Sequence, residues 1–239
     1  MEADVKTDPR AARPPQSGCR PWTRDQIAAN AARDIPEGSY VNIGIGIPVL
    51  VANHVPAERE VIIHSENGIL GMGPEPGPNE INRWLINASK KYVTLRPGGA
   101  YMHHADSFAI IRGGHLDLCI LGAFQLAENG DFANWKMAGQ KGGGIGGAMD
   151  LAACAKRVFV AMEQVTRSGR PRLVERCAIP VTARGVVDLV MTNYGLFEIT
   201  PEGMALKEIA PGISVDEVKA STGCNLIVPR EVPPVRLRG

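Results

Sequence analysis

The sequence predicts an α/β domain with three layers and a mostly parallel sheet, which becomes rich in strands toward its C-terminal part. Three observations lead to this prediction. Short apolar runs alternate with segments of helical periodicity along most of the chain, as in strand–helix–strand units. The run at residues 61–64 is apolar almost throughout, as in a strand that is covered on both faces. After Cys177, three apolar runs lie close together between turns, without a helical segment between them.

The first elements have the clearest signals. Thr23 and Gln26 form a capping box for a first helix. Its apolar face consists of Ile27, Ala28, Ala31 and Ile35. Residues 40–45 are expected to form a strand, and a second helix is expected to start near Pro48. Further strands are expected at residues 61–64, 92–95, 116–121, 157–162, 186–191, 196–199, 205–209 and 225–228, and further helices at residues 107–112, 148–155 and 215–221.

Composition argues against several classes of protein. The formal net charge of the 239 residues is +1, which does not favour nucleic acid or an anionic membrane as the main partner. No apolar run approaches the ~20 residues that a membrane-spanning helix needs. The five cysteines are scattered, so neither a disulfide framework nor a metal site is predicted, and a cytoplasmic location is expected.

One domain is expected, at residues 22–229, because no internal repeat or linker interrupts this stretch. Residues 1–21 are rich in proline and arginine and lack the apolar segment of a secretory signal, so we expect a disordered arm there. Residues 230–239 are expected to form a C-terminal tail.

Glu66 is the sharpest candidate for chemistry. It follows the apolar strand at residues 61–64, and Asn67 and Gly68 turn the chain immediately afterwards. A carboxylate held at the end of a buried strand is fixed and partly dehydrated, so it can act as a general base or as a nucleophile. From the pattern alone, a carboxylate that merely caps the next turn is the more common case. The other polar segments at expected strand ends are residues 42–48, 98–106 and 129–147.

Two further features carry weaker signals. The glycine run at residues 141–147 precedes a predicted helix, so its backbone N–H groups could bind an oxyanion or a phosphate, although a mobile surface loop fits equally well. His103 and His104 are adjacent, and no third ligand stands at a recognisable spacing, so a hydrogen-bonding or substrate-contacting role is favoured over a metal site. The other histidines, His54, His64 and His115, are expected to be structural or to lie on the surface.

Several motifs, in order, resemble family I CoA-transferase B subunits. The run from Ser65 to Pro74, SENGILGMGP, resembles the active-site signature of that family. The resemblance extends to residues 40–48, 106–114, 130–135, 146–150 and 221–224, so it covers nearly all of residues 22–229. It implies that Glu66 is a covalent nucleophile and that an A-type subunit completes the enzyme as a heterotetramer. It implies no metal and no organic cofactor, since the CoA thioester is itself a substrate.

The resemblance also implies a ping-pong mechanism through an acyl-glutamyl anhydride and a glutamyl-CoA thioester on Glu66. Backbone N–H groups near the glycine loops are expected to stabilise the oxyanion. The residues expected to form this oxyanion and CoA loop site are Gly44, Gly46, Asn67, Gly146 and Gly147.

The segment at residues 101–108 resembles the 3-oxoadipate type of this family, and His103 and His104 are expected to hold the second carboxylate of such a diacid. The hypothesis is therefore CoA transfer from succinyl-CoA to 3-oxoadipate. Transfer to acetoacetate, hydrolysis of an acyl-CoA, and a non-catalytic small-molecule-binding module on the same fold remain open alternatives.

Overall fold

The computed structural model describes residues 21–137, 139 and 141–233. The predicted arm at residues 1–21 therefore lies outside the described residues except for Pro21, and the predicted tail is described only as far as residue 233.

The described residues form a large sheet, a small sheet and a few short helices. The helices are α1 (Arg24–Arg33), α2 (His104–Arg112), α3 (Ala148–Cys154) and α4 (Val215–Ala220), and a 3-10 helix spans Pro48–His54. The strands are β1 (Tyr40–Ile43), β2 (Ile62–Ser65), β3 (Ile69–Met72), β4 (Leu95–Tyr101), β5 (Leu118–Leu121), β6 (Gln125–Ala127), β7 (Phe132–Ala133), β8 (Val158–Ala161), β9 (Leu173–Val174), β10 (Leu189–Met191), β11 (Gly195–Thr200), β12 (Gly203–Ile209) and β13 (Leu226–Ile227).

The large sheet confirms the α/β prediction. Its ten strands have the order β13-β12-β11-β10-β8-β5-β1-β2-β3-β4, and the central run from β10 to β2 is parallel throughout. Every residue of β5 and β8 is buried, which is why these strands are apolar without alternation. Antiparallel pairs flank this centre, β2–β3–β4 on one side and β10–β11–β12 on the other. The strand-rich C-terminal part is formed by β10 to β13.

The helices cover the two faces of the sheet. The chain passes from β1 through the 3-10 helix to β2, then through β3, β4 and α2 to β5, which pairs with the other side of β1. Crossover connections between parallel strands are right-handed. The connection from β1 to β2 and the connection from β4 to β5 run in opposite directions along the sheet, so they lie on opposite faces. Accordingly, α1 packs on the 3-10 helix, whereas α2 packs on α3. The ends of β1 and β5 therefore form a topological switch point, where open α/β sheets bind ligands.

The helix at residue 24 confirms the capping box. The Thr23 side chain accepts from the backbone N–H of Gln26, and the Gln26 side chain accepts from the backbone N–H of Thr23. The element that begins at Pro48 is a 3-10 helix rather than an α-helix, and α2 begins earlier than predicted because His103 caps it.

The prediction of a strand at residues 92–95 is wrong. The strand begins at Leu95 and continues to Tyr101, into the polar segment at residues 98–106. This strand lies at the edge of the sheet, where Pro97 needs no partner for its missing N–H group. The sequence prediction also missed β3, which pairs with both β2 and β4. The strand β4 was misplaced because it is held by backbone pairing with β3 and not by an apolar face.

Candidate active site

Glu66 lies at the tip of a tight hairpin at the carboxyl edge of the parallel strands. β2 ends at Ser65, and the N–H of Gly68 donates to the Ser65 carbonyl at 3.0 Å. Gly68 has a φ of +111°, and a Cβ there would lie 2.2 Å from the carbonyl oxygen of Met102. Only glycine fits this turn, so the turn fixes where Glu66 leaves the sheet.

The Glu66 carboxylate is half-buried against the loop that leads into α3. The backbone N–H of Gly147 lies beside it and favours its ionised form. A Cβ at Gly147 would lie 2.2 Å from Oε2 of Glu66 and 3.0 Å from the ring of Phe108. Burial raises the pKa of Glu66, and His104 and the Gly147 N–H partly offset that rise. A dehydrated and fixed carboxylate of this kind is suited to nucleophilic attack.

A cavity of about 460 Å³ opens at the switch point beside Glu66. This volume is within the range of ligand sites, roughly 300–1,000 Å³. Four of the predicted loop glycines and Glu66 line it, so the structure brings together segments that are far apart in sequence. The predicted residues in the lining are Gly44, Gly46, Glu66, Gly146 and Gly147.

The predicted oxyanion groups are not equivalent. The N–H of Gly44 donates to the Ile120 carbonyl at 2.8 Å, so this donor is already engaged within the sheet. Gly46 and Gly146 are exposed and have positive φ values of +86° and +54°. Gly147 is the predicted glycine whose N–H contacts Glu66. The oxyanion role of these groups stays a prediction.

Asn67 is exposed and is not part of the cavity lining. Its Nδ2 donates to the Ile86 carbonyl at 2.8 Å. This bond ties the tip of the hairpin to the segment between β3 and β4, so Asn67 holds the position of its neighbour Glu66.

The two predicted substrate histidines lie beside the hairpin, at the start of α2. His103 caps the helix, since its Nδ1 accepts from the Ala105 N–H at 3.2 Å. His104 has Nδ1 3.1 Å from the Glu66 backbone carbonyl, and its ring packs on Phe108 with centroids 4.7 Å apart. Both side chains are exposed, and neither is in the cavity lining. Their contact with a substrate carboxylate stays a prediction.

Beneath Glu66 lies a buried polar chain that the sequence prediction did not assemble. Nδ2 of Asn42 lies 2.8 Å from Nδ1 of His64, and Nε2 of His64 lies 2.8 Å from Oγ of Ser107. Burial lowers the pKa of His64 to about 4, so the ring is neutral, and we assign the proton to Nε2 from these two contacts. The chain joins β1, β2 and α2, and it confirms the structural role expected for His64.

A charged group lies in the same cavity, toward the end of β8. It consists of Arg24, Glu163 and Arg172, all of which line the cavity. Sequence reasoning gave none of them a role. They come from the start of α1, from the loop after β8 and from the residue before β9, so no local spacing connects them.

Within residues 21–137, 139 and 141–233, no group of three His, Cys, Asp or Glu side chains is placed to hold a metal ion. None of the helices in the described part is long and apolar enough to cross a membrane. The described cysteines, Cys119, Cys154, Cys177 and Cys224, are unpaired.

Comparison with known sequences gives a consistent result. Residues 24–221 match the family described as Coenzyme A transferase. The chain is 50% identical over 206 residues to the B subunit of 3-oxoadipate CoA-transferase from Acinetobacter baylyi, a match that covers 86% of this chain and 95% of that protein. It is 45% identical over 216 residues to mitochondrial succinyl-CoA:3-ketoacid coenzyme A transferase 2A of Mus musculus, covering 90% of this chain and 42% of the mouse protein.

Solved structures share the fold. An acyl-CoA transferase from Escherichia coli O157:H7 matches with a TM-score of 0.72 and 21% identity, over 92% of this chain and 44% of that one. Glutaconate coenzyme A-transferase from Acidaminococcus fermentans matches with a TM-score of 0.64 and 16% identity, over 89% of this chain and 90% of that one. The chain thus spans less than half of the mouse and E. coli proteins.

Proposed function

This chain belongs to the coenzyme A transferase family, and we propose that it is a B subunit that transfers CoA from succinyl-CoA to a 3-oxoacid, with 3-oxoadipate as the acceptor. The observation that carries the proposal is the Glu66 carboxylate, half-buried at the tip of a glycine-dependent hairpin and in contact with the Gly147 N–H inside a ligand-sized cavity. The choice of 3-oxoadipate is supported by the names of relatives at 49–50% identity.

Glu66 is the nucleophile in this proposal. Its carboxylate attacks the carbonyl carbon of succinyl-CoA, the C–S bond breaks, and CoA leaves as the thiolate, so that a succinyl-glutamyl anhydride remains. The thiolate then attacks the glutamyl carbonyl of the anhydride, which releases succinate and leaves a Glu66–CoA thioester. The acceptor carboxylate then attacks the Glu66–CoA thioester, which releases the CoA thiolate and forms a second anhydride. The thiolate attacks the acceptor's acyl carbon, so that the acceptor leaves as its CoA thioester and Glu66 is free again. Each step forms one acyl bond and breaks one, with no net redox change.

The geometry supports this chemistry in two ways. Burial raises the pKa of Glu66, so the ionised carboxylate is poorly solvated and its attack loses less hydration. The hairpin and the Gly147 contact hold it in one position, and such orientation contributes strongly to the rate of a two-centre reaction. In this proposal the Gly147 N–H also binds the oxygen of the glutamyl carbonyl when that carbon becomes tetrahedral.

An A-type subunit is part of the proposal, in a heterotetramer with this chain. Two exposed apolar side chains at the cavity, Ile45 at 68% and Ile145 at 47% exposure, support a partner surface there. The chain also corresponds to only 42% of the mouse enzyme. A cytoplasmic location and the lack of a metal or organic cofactor remain part of this proposal. The cysteines are scattered, and those of the described part are unpaired, which supports the first.

Acetoacetate is the second candidate acceptor. The support for it is the 45% identity to an enzyme named for 3-ketoacids, only slightly below the identity to the 3-oxoadipate relatives.

The test is an intact-mass spectrum of this chain in complex with its A subunit after brief incubation with succinyl-CoA. A CoA adduct on the Glu66 peptide is expected, and Glu66→Gln should abolish it and lower kcat by about 10⁴-fold or more, as nucleophile deletions do elsewhere. Glu75→Gln, at an exposed carboxylate in the same region, is the matched control and should keep the adduct. An intact complex that shows no adduct, and none after borohydride trapping, contradicts covalent catalysis at Glu66.

A further inference from the structure

We propose that Arg172, supported by Arg24, binds the distal carboxylate of a dicarboxylic substrate whose other end is attacked by Glu66. This replaces the role expected for His103 and His104, which do not line the cavity. The proposal rests on the proposed function, because it assigns the substrate class of that same cavity. It gives the cavity a second binding group, apart from the glycine loops.

The three charged side chains of this subsite are unequally paired. Nε of Arg24 donates to Oε1 of Glu163 at 3.0 Å, which is a normal hydrogen bond. The guanidinium of Arg172 is 3.9 Å from Oε2 of Glu163, too long for a hydrogen bond. Glu163 is therefore satisfied mainly by Arg24, and the group retains a net positive charge on Arg172.

Arg172 has unused hydrogen-bonding capacity in a partly dehydrated place. Its Nε is buried and has no hydrogen-bond partner among the described residues. Burial lowers the pKa of Arg172; the nearby Glu163 partly offsets this effect, and the adjacent Arg24 adds to it. The side chain as a whole is 23% exposed. A guanidinium presents N–H donors in a planar fork that matches a carboxylate, so an anionic ligand that reaches its terminal N–H groups would balance its charge.

The backbone holds Arg172 in place. Its N–H donates to the Gln164 carbonyl at 2.9 Å, and its carbonyl accepts from the Leu126 N–H at 2.9 Å. These bonds fix the residue between the loop after β8 and the strand β6. The anion-binding group is therefore positioned by the sheet and not by a surface loop.

The spacing suits a short diacid. Glu66 follows β2 and Glu163 follows β8, and these strands are separated by β1 and β5 in the sheet. Three strand spacings amount to roughly 14 Å between backbones, so the two ends of the cavity are far enough apart to take opposite ends of a short diacid. The cavity lining between them is apolar, formed by Ile43, Leu121, Ala161 and Met162. An acyl group at one end, a methylene chain in the middle and a carboxylate at the other end match this order.

The experiment compares a diacid and a monoacid acceptor in the complex with the A subunit. In a ping-pong reaction, kcat/KM for the acceptor reports only its own half-reaction. With Arg172→Met, kcat/KM for 3-oxoadipate should fall about 10- to 100-fold, the range expected for a lost charged hydrogen bond, while the value for acetoacetate should change less than about threefold. Arg172→Lys should restore part of the loss. Arg170→Met, at an exposed arginine two residues earlier, should resemble the wild type.

Several outcomes overturn the proposal. If kcat/KM of Arg172→Met falls equally for both acceptors, Arg172 stabilises the fold or binds a phosphate of CoA. If kcat/KM for 3-oxoadipate is unchanged, Arg172 binds no substrate carboxylate. If the wild-type complex transfers CoA to neither acid, the proposed function fails, and ligand-induced thermal shifts still test the subsite. Adipate should then raise the Tm of the wild type but not of Arg172→Met, whereas hexanoate should raise neither; equal shifts with the two acids contradict a carboxylate subsite.

Discussion

Gly147→Ala tests whether close backbone approach holds the nucleophile. Gly147 has φ −85° and ψ 0°, a conformation that alanine adopts without strain, and it stands just before α3. As a cap substitution it should cost about 1 kcal/mol or less in stability. The main effect of the added methyl group is therefore on Glu66 and not on the fold.

The size of that effect follows from the contacts. The new Cβ would lie 2.2 Å from Oε2 and 2.9 Å from Cδ of Glu66, and 3.0 Å from the ring of Phe108. The ring blocks retreat on one side, so the carboxylate and the Gly147 N–H must separate by about 1 Å or more. A misplacement of this size can lower the rate about 100-fold, and loss of an oxyanion donor costs a similar factor. We expect kcat to fall about 100-fold or more.

The assay is the single-turnover rate of Glu66–CoA thioester formation in the complex, followed by quenched intact mass, with Tm measured in parallel. Gly77→Ala is the matched control: it lies outside the cavity lining, and a Cβ there would meet only the Glu80 side chain, at 3.4 Å. That variant should keep the wild-type rate. A Gly147→Ala complex with a rate within about threefold of wild type would refute the argument that this contact positions the nucleophile.

Two further predictions concern pH. Thioester formation should slow as pH falls through the pKa of Glu66, which burial raises, because only the ionised carboxylate attacks. Since His104 lowers that pKa, His104→Ala should move the midpoint of the single-turnover pH profile to higher pH. A midpoint that stays or moves to lower pH contradicts this prediction. Burial lowers the pKa of His64 from 6.5 to about 4, so the unfolded chain binds a proton that the folded one does not, and stability falls as pH drops from about 6.5 toward 4. In urea unfolding, the free energy of unfolding of the wild type should fall by about 2 kcal/mol more between about pH 7 and about pH 5 than that of His64→Gln. Equal falls in the two proteins would exclude His64 as the titrating group.

Local patterns in the sequence predicted the frame of the active site well. The apolar run before Ser65 indicates a strand buried on both faces, and Asn67 and Gly68 indicate an immediate turn, so the position of Glu66 at a strand end follows from neighbouring residues. Thr23 and Gln26 likewise determine the start of α1 by contacts only three residues apart. Such signals can be read because each depends on groups that are adjacent in the chain.

The missed strand and the misplaced strand show where local reasoning fails. Residues 92–95 are apolar enough to indicate a strand, yet the pairing partner β3 selects Leu95–Tyr101, which is held by backbone hydrogen bonds at the sheet edge. Side-chain hydrophobicity carries no information about that choice, because an edge strand need not bury either face.

Local sequence patterns and motifs were enough to establish the class of fold, the family and the candidate nucleophile. The folded chain was needed to place Gly147 against Glu66, to join His64 to Asn42 and Ser107, and to bring Arg24 and Arg172 into the same cavity. The physical reason is that these contacts depend on the order of the strands in the sheet. That order is set by long-range burial and pairing, whereas helical periods, caps and turns are set by residues a few positions apart.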